Sequence, residues 1–261
     1  MADPGPVKPL GWLCAPRHRV IPRREPSGDP CNPDAREAPW RTPSAVLSPI
    51  IPCSLLDTDD EETTMKRCFD IIVAFTGLVF AVPLMAFVAV AIIVKDGRPV
   101  LFCQRRVGMG GQEFTMYKFR TMLVSSGSEC GTFDVGSRVR VTSVGRVLRK
   151  LKFDELPQFW NVIKGDMSMV GPRPEVSKWV AVYPEQWQTV LIVRPGITDP
   201  ASIMFRNEEQ MLTQSNDPER TYREEILPQK LRLYQDYIAN RSMTGDLRIL
   251  WRTIVTVLLR Q

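Results

Sequence analysis

The sequence predicts a mostly helical α/β fold of the mixed α+β kind, with an N-terminal re-entrant membrane helix, a small β-hairpin and interfacial amphipathic helices. Three observations predict it. Residues 69–94 (FDIIVAFTGLVFAVPLMAFVAVAIIV) carry one charge, Asp70, near their start. Two strand-like runs then flank Gly108-Met109-Gly110-Gly111. Beyond them, apolar residues recur at three- to four-residue spacing among arginines and lysines, the pattern of helices with one greasy face.

Residues 1–64 hold twelve of the 22 prolines and close on the acidic run Asp57–Glu62. Apolar periodicity and a signal-peptide core are both missing there, so a disordered tail without a secretory leader is expected. Met65, followed at once by Lys66-Arg67, is an alternative start, and the body is expected to span 65–261. The tail has 7 Lys/Arg against 10 Asp/Glu, the rest 27 against 19. The basic character therefore belongs to the body and suits an anionic partner. The one histidine, His18, lies in the tail, which argues against a Ser-His or Cys-His machine and a His-ligated zinc in the body. The six cysteines show no CxxC spacing and read as thiols of a reducing compartment.

About 24 apolar residues at ~1.5 Å rise reach ~36 Å, enough to cross a bilayer core. Pro83 sits in the middle of the run, and basic residues flank both ends: Lys66 and Arg67 before, Lys95, Arg98, Arg105 and Arg106 after. Proline bends a helix, and positive residues mark the cytoplasmic side. A helix that enters one leaflet, turns at Pro83 and returns satisfies both facts. A straight span and a buried soluble helix are the alternatives.

Pro99–Arg106 and Gln112–Phe119 are expected to pair as a hairpin. Their glycine turn is not followed by a helical pattern, so it is not a phosphate loop. Residues 123–137 (LVSSGSECGTFDVGS) are expected to form a mobile loop. Ser143–Lys152 places Val144, Val147, Leu148 and Leu151 at helical spacing, as either a surface helix on an anionic leaflet or a core-facing one. Asn207–Gln214 and Thr221–Asn240 read as helices, the second bent or interrupted by Pro228. Asp246–Arg260 is short for a span and is expected to lie in the interface or dock on the membrane helix.

The chemistry concentrates around Lys152-Phe153-Asp154-Glu155-Leu156-Pro157-Gln158. Asp154 is expected to cap the helix Gln158–Lys164, with Pro157 in its first turn and Gly165 past its end. Capping and dipole complementation alone would explain the two carboxylates. Their neighbours suggest more. Arg149 lies one turn before, Gly171-Pro172-Arg173-Pro174 presents a guanidinium between two prolines, and Lys118, Arg120 and Arg194 add further cations. Five cations beside a membrane helix and a carboxylate pair suggest a diphosphate site. The carboxylates could serve as nucleophile, proton acceptor or metal ligand.

Lys118-Phe119-Arg120-Thr121-Met122, Arg140-Val141-Thr142, Gly145 to Arg149, Asp154 to Gln158, Asn161-Val162, Gly165 to Ser168, Val170 to Pro174 and Arg194 to Thr198 together resemble the bacterial sugar transferases, specifically the monotopic polyprenyl-phosphate phosphoglycosyl transferases. The resemblance covers roughly residues 66–256. It implies a re-entrant helix bent at Pro83 and a site facing the cytoplasm at the inner membrane of a bacterium. Asp154 would attack the β-phosphate of a UDP-sugar, releasing UMP, and polyprenyl phosphate, undecaprenyl phosphate in particular, would take the phosphosugar. Glu155 would assist, Asp154 and Glu155 would hold Mg²⁺, and Lys118, Arg120, Arg149, Arg173 and Arg194 would bind phosphate and nucleotide.

Three departures stand out. Val82-Pro83 replaces the serine-proline of many relatives, Asp199-Pro200-Ala201-Ser202 replaces Gly-Leu-Ala-Gln, and Arg138 replaces an acidic residue. The implied partners are a UDP-sugar, polyprenyl phosphate and the inner-leaflet membrane, with a second copy of the chain as a candidate. A nucleic-acid motif and an aromatic stacking platform are both missing, so no nucleic acid is expected. A non-catalytic membrane adaptor of a glycan-assembly complex is the alternative.

Overall fold

The computed structural model describes residues 60–123 and 141–258. The expected tail up to residue 59, and the expected loop from residue 124 with Arg138 and Arg140, lie outside the described residues.

Helix α1 (Asp60–Asp96) runs for 37 residues, about 55 Å at ~1.5 Å per residue. It begins nine residues ahead of the apolar stretch. The helix is continuous through Pro83, so the turn expected there is not a break in the helix. Asp70, Ala74, Ala81, Val88 and Ile92 are buried, and their spacing of four or seven places them on one stripe. Ile72, Phe75, Phe80, Phe87, Val90 and Val94 are exposed, Phe80 by 80%.

The two ends of α1 rest on the same folded body. Near its start, Arg67 donates to the carbonyls of Val162 (2.7 Å), Ile163 (3.3 Å) and Met167 (3.3 Å). Asp70 accepts from the Ser168 hydroxyl (2.7 Å) and the Met169 amide (3.1 Å). At its far end, Val88 and Ile92 pack with Phe119 and Leu148. There Arg120 donates to the carbonyls of Asp96 (2.7 Å), Gly97 (2.6 Å) and Arg98 (2.9 Å), satisfying carbonyls that a helix end leaves without partners.

The hairpin forms as expected from β1 (Leu101–Val107) and β2 (Glu113–Phe119), antiparallel with Gln104 opposite Met116 and Arg106 opposite Phe114. Next come α2 (Ser143–Leu151), a 3-10 turn (Phe153–Glu155) and α3 (Gln158–Lys164). The Thr142 hydroxyl caps α2 by accepting from the Gly145 amide at 2.8 Å. Contrary to expectation, Asp154 is not the cap of α3. Pro157 occupies that position, and Asp154 lies in the 3-10 turn, which starts after Lys152 in the left-handed region (φ 59). Gly165 closes α3 with φ 101, as its place past the helix end predicts. Asn161 clips α3 to the hairpin edge: its amide donates to Thr115 O (2.7 Å) and its carbonyl accepts from the Tyr117 amide (3.1 Å).

A second sheet escapes sequence reading. β3 (Ser168–Val170) and β4 (Gly196–Thr198) pair in parallel, Ser168 opposite Gly196 and Val170 opposite Thr198. Helices α4 (Ser177–Val180) and α5 (Pro184–Val190) make the crossover. At the strand ends the backbones nearly touch: a Cβ on Gly196 would lie 2.1 Å from Gly171 N. Gly196→Ala should therefore cost about 3 kcal/mol or more. Thermal unfolding should fall by roughly 6–12 °C, and an unchanged transition would contradict the close crossing.

The remaining helices are α6 (Pro200–Met204), α7 (Glu208–Gln214), α8 (Pro218–Thr221), α9 (Leu227–Ala239) and α10 (Met243–Leu258). Tyr222–Ile226 is a π-turn joining α8 to α9. The interruption expected at Pro228 takes this form, because a widened turn makes room for a proline ring and its missing N–H. The main core gathers Trp179, Trp187, Tyr222, Leu227, Leu231 and Tyr234. Helix α10 is tied to α1 by an ion pair between Lys66 and Asp246, whose other oxygen accepts from the Tyr237 hydroxyl (2.8 Å). Asp246 is thus an anchor between helices. Leu247, Trp251 and Ile254 of α10, Trp160 of α3 and Val147 of α2 are exposed.

Candidate active site

Strand alternation builds the site. Cross-strand partners share a face, so Gln104 and Arg106 of β1 stand on the same side of the hairpin as Lys118 of β2. The 3-10 turn brings Asp154 and Glu155 to that side, and the loop leaving β3 brings Arg173. Lys118 Nζ lies 3.5 Å from Glu155 Oε1. Arg173 forks onto the same carboxylate, one nitrogen in close contact with Oε1 and the other 3.5 Å from Oε2. The flanking Pro172 and Pro174 fix the backbone that carries the fork.

The two adjacent carboxylates meet opposite environments. Burial pushes Glu155 up, but Arg173 and Lys118 outweigh it and hold the carboxyl well below its ordinary range. Burial pushes Asp154 up as well, and the negative charge of Glu155 adds to it, with Lys118 offsetting only part. Asp154 is 8% exposed, and its Oδ1 is buried without a hydrogen-bond partner among the described residues. An oxygen left so is costly unless a proton, cation or ligand completes it. The Lys118 ammonium is pushed down to about 8 by burial, against the pull of Glu155.

A second layer supports the Arg173 loop. Arg106 donates to Pro174 O (3.2 Å), to Glu175 Oε1 (2.8 Å) and to Gln104 Oε1 (2.7 and 3.0 Å). The Tyr222 hydroxyl donates to Glu175 Oε2 (2.7 Å), and Lys230 stands 5.0 Å over the Tyr222 ring while pairing with Glu208 (2.7 Å). Burial pushes Glu175 up, and Arg106 and Lys230 more than offset it, so its carboxyl too lies below its ordinary value. Glu155 and Glu175 thus stay ionised where unfolded carboxyls, with values near 4.3, take up protons. The stability they contribute is complete above that value and drains away as pH falls below it, through their depressed folded values. Glu175→Gln should flatten the acid limb of a thermal-stability profile below about pH 4.3; an unaltered limb would remove Glu175 as a contributor.

Of the residues singled out in the sequence, the structure brings together Asp154, Glu155, Lys118 and Arg173. It does not bring the other three to them. Arg120 spends its guanidinium on the carbonyls ending α1. Arg149 donates to the Thr121 hydroxyl (3.0 Å) and pairs with Glu209 (3.1 Å). Arg194 precedes β4 and donates to Gly165 O (3.2 Å). Arg106, read from sequence as a membrane flank, is buried behind the site, and Glu175 was missed. Asp199, a departure from the family pattern, leaves β4 fully buried and accepts from the Ser202 amide (2.8 Å) and hydroxyl. It lies close enough to Arg173 for the two charges to interact. Two consecutive arginines in a strand were the available signal for Arg106, since alternation sends one of them inward.

Among the described residues no three His, Cys, Asp or Glu side chains gather as a metal cage. Asp154 Oδ1 fits a narrower need. Mg²⁺ is commonly held by one or two carboxylates with the rest of its shell from phosphate and water, and this oxygen is open. Both Glu155 oxygens already face Arg173.

A buried carboxylate pair shifted in opposite directions, a lysine and a rigid arginine gather beside an apolar surface. The bacterial sugar transferase profile matches residues 61–260, and the chain belongs to that family. Among its relatives, the UDP-N-acetylgalactosamine-undecaprenyl-phosphate N-acetylgalactosaminephosphotransferase of Aeromonas hydrophila is 37% identical over 199 residues, 74% of this chain and 44% of that protein. EpsL, an uncharacterized sugar transferase of Bacillus subtilis, is 36% identical over 197 residues, 76% of this chain and 89% of that protein. The exopolysaccharide production protein ExoY of Rhizobium meliloti is 34% identical over 210 residues, covering 74% and 85%. The chain thus spans under half of the Aeromonas relative and most of the other two.

Proposed function

We propose that the protein transfers a sugar 1-phosphate from a UDP-sugar to polyprenyl phosphate, undecaprenyl phosphate in particular, as the first membrane step of an exopolysaccharide, capsule or O-antigen-type glycan. The open, buried Oδ1 of Asp154 beside the Arg173–Glu155–Lys118 cluster carries this reading. A carboxylate oxygen of Asp154 attacks the β-phosphorus of the donor, the bond to the bridging oxygen breaks, and UMP leaves with that electron pair. The acyl phosphate on Asp154 is then attacked by a phosphate oxygen of the lipid, which frees Asp154 and forms the lipid diphosphate sugar. Arg173 and Lys118 orient the diphosphate and offset charge on the transferring group. Asp154, with Glu155 behind it, would hold Mg²⁺ together with the substrate phosphates, and the ion when bound would neutralise developing charge on phosphate oxygens.

The same proposal places α1 in one leaflet of the bacterial inner membrane, with both ends on the cytoplasmic side. Its two ends contact one body, its exposed face from Ile71 to Val94 is apolar apart from Thr76, and it is long and apolar enough to cross. A straight span would part those ends. Exposed Trp160 and Trp251 suit the headgroup level on neighbouring helices.

UMP release from a panel of UDP-sugars tests the activity, with Mg²⁺, undecaprenyl phosphate and protein in nanodiscs. Release with one donor, dependent on the lipid for continued turnover, is expected. No release with any donor from folded protein that still binds the lipid would favour the adaptor alternative.

A further inference from the structure

A cavity of about 110 Å³ lies beside the β3/β4 pair, lined by Lys66, Arg67, Asp70, Arg194, Tyr237 and Arg241 among others. Four of these six are cationic. Lys66 is paired with Asp246, Arg67 faces three carbonyls, and Asp70 is satisfied by Ser168 and Met169. The remaining charge is uncommitted. Arg194 engages Gly165 O only through Nε, and Arg241 makes no hydrogen bond or ion pair with any described residue. Neither Asp154 nor Glu155 lines this cavity, so the catalytic mechanism leaves it unused.

The cavity also adjoins the apolar surface. Arg241 stands just ahead of α10, whose Leu247 and Trp251 are exposed, and Lys66 and Asp70 lie beside the exposed Ile71, Ile72 and Phe75 of α1. Two guanidinium groups with free donors, one lining the cavity beside the start of α1 and one just ahead of α10, whose other faces expose apolar side chains, match a phosphate whose substituents run into lipid. Free phosphate would satisfy the arginines but would leave the neighbouring apolar faces without a role.

We propose that this cavity binds the phosphodiester headgroup of an anionic bilayer lipid through Arg194 and Arg241, apart from the site at Asp154. The inference rests on the placement of α1 in the membrane, and its test is independent of turnover. The full chain would be placed in nanodiscs of mixed phosphatidylglycerol and phosphatidylcholine, and the lipids retained on release read by native mass spectrometry. Wild-type protein should retain phosphatidylglycerol preferentially, and Arg194→Gln/Arg241→Gln should lower that preference about thirtyfold. Arg248→Gln, on the exposed face of α10 outside the cavity, should leave it unchanged, and Arg194→Lys/Arg241→Lys should keep most of it. An undiminished preference in the glutamine double variant overturns the proposal. So does displacement of the retained lipid signal by millimolar inorganic phosphate in wild type without any headgroup preference, which would assign the cavity to a free anion. Circular dichroism of the double variants confirms that they are folded, and loss of UMP release alone would bear on Asp154 and not on this cavity.

Discussion

Asp154→Asn should abolish turnover, by roughly 10³-fold or more, which is at least about 4 kcal/mol of barrier. The substitution keeps the side chain's size and removes only the nucleophilic charge. It should also leave the fold intact, because the raised value of the Asp154 carboxyl means that its ionised form is a burden on the native state. For a carboxyl shifted upward, stability falls as pH rises through the folded value, so a neutral amide should be as stable as wild type or slightly more so at neutral pH. Activity lost with an unchanged or higher melting temperature is the expected pair of readings. Substantial UMP release from the Asn variant would sink the nucleophile assignment. A radiolabelled phosphosugar that stays with wild-type protein after denaturation, and never with the variant, would locate the covalent step.

Arg173→Ala should harm both chemistry and stability. Removing one preorganised cation at the phosphates costs on the order of 10²–10³ in kcat/KM. It also leaves Glu155 buried against Lys118 alone, and breaking a buried pair costs about 3–5 kcal/mol. Adding Glu155→Gln should recover much of the stability without restoring activity, since the amide no longer needs a counter-charge. If the double variant were as unstable as the single one, the loss would lie in the Pro-Arg-Pro backbone rather than in the ion pair. Arg173→Lys should fall between, because a point charge cannot reproduce the fork.

Elements with long periodic patterns were legible in the sequence. The apolar run of α1, the hairpin around Gly108–Gly111, the helix beginning at Ser143 and the C-terminal helices follow from local spacing and turn chemistry. The parallel pair β3/β4 was not, because three-residue strands have no period to detect and their partner lies some 26 residues away across a helical crossover. Asp154 was placed one step wrongly for a related reason. Asp followed by proline three residues later is a good cap pattern, yet Lys152 in the left-handed region turns the chain early and gives the cap position to Pro157. Asp154, Glu155 and Arg173, singled out together in the sequence, also meet in the fold. Arg120, Arg149 and Arg194 were grouped with them by charge and by the family resemblance, and neither says which carbonyl or carboxylate a guanidinium will meet. Arg106 and Glu175 come together across 69 positions, a pairing only the folded chain displays.

The fork of Arg120 on the last carbonyls of α1 has a mechanical consequence. Lys118, which faces Glu155, lies two residues earlier on the same chain segment, so the exit of the membrane helix and the phosphate-facing cation belong to one lever. With α1 immersed as proposed, the height of the reacting carboxylate above the bilayer is inherited from how deeply that helix floats. Acyl-chain length then acts as a ruler for the reaction: lipids that lift or sink α1 carry Asp154 out of the plane in which a carrier's phosphate travels.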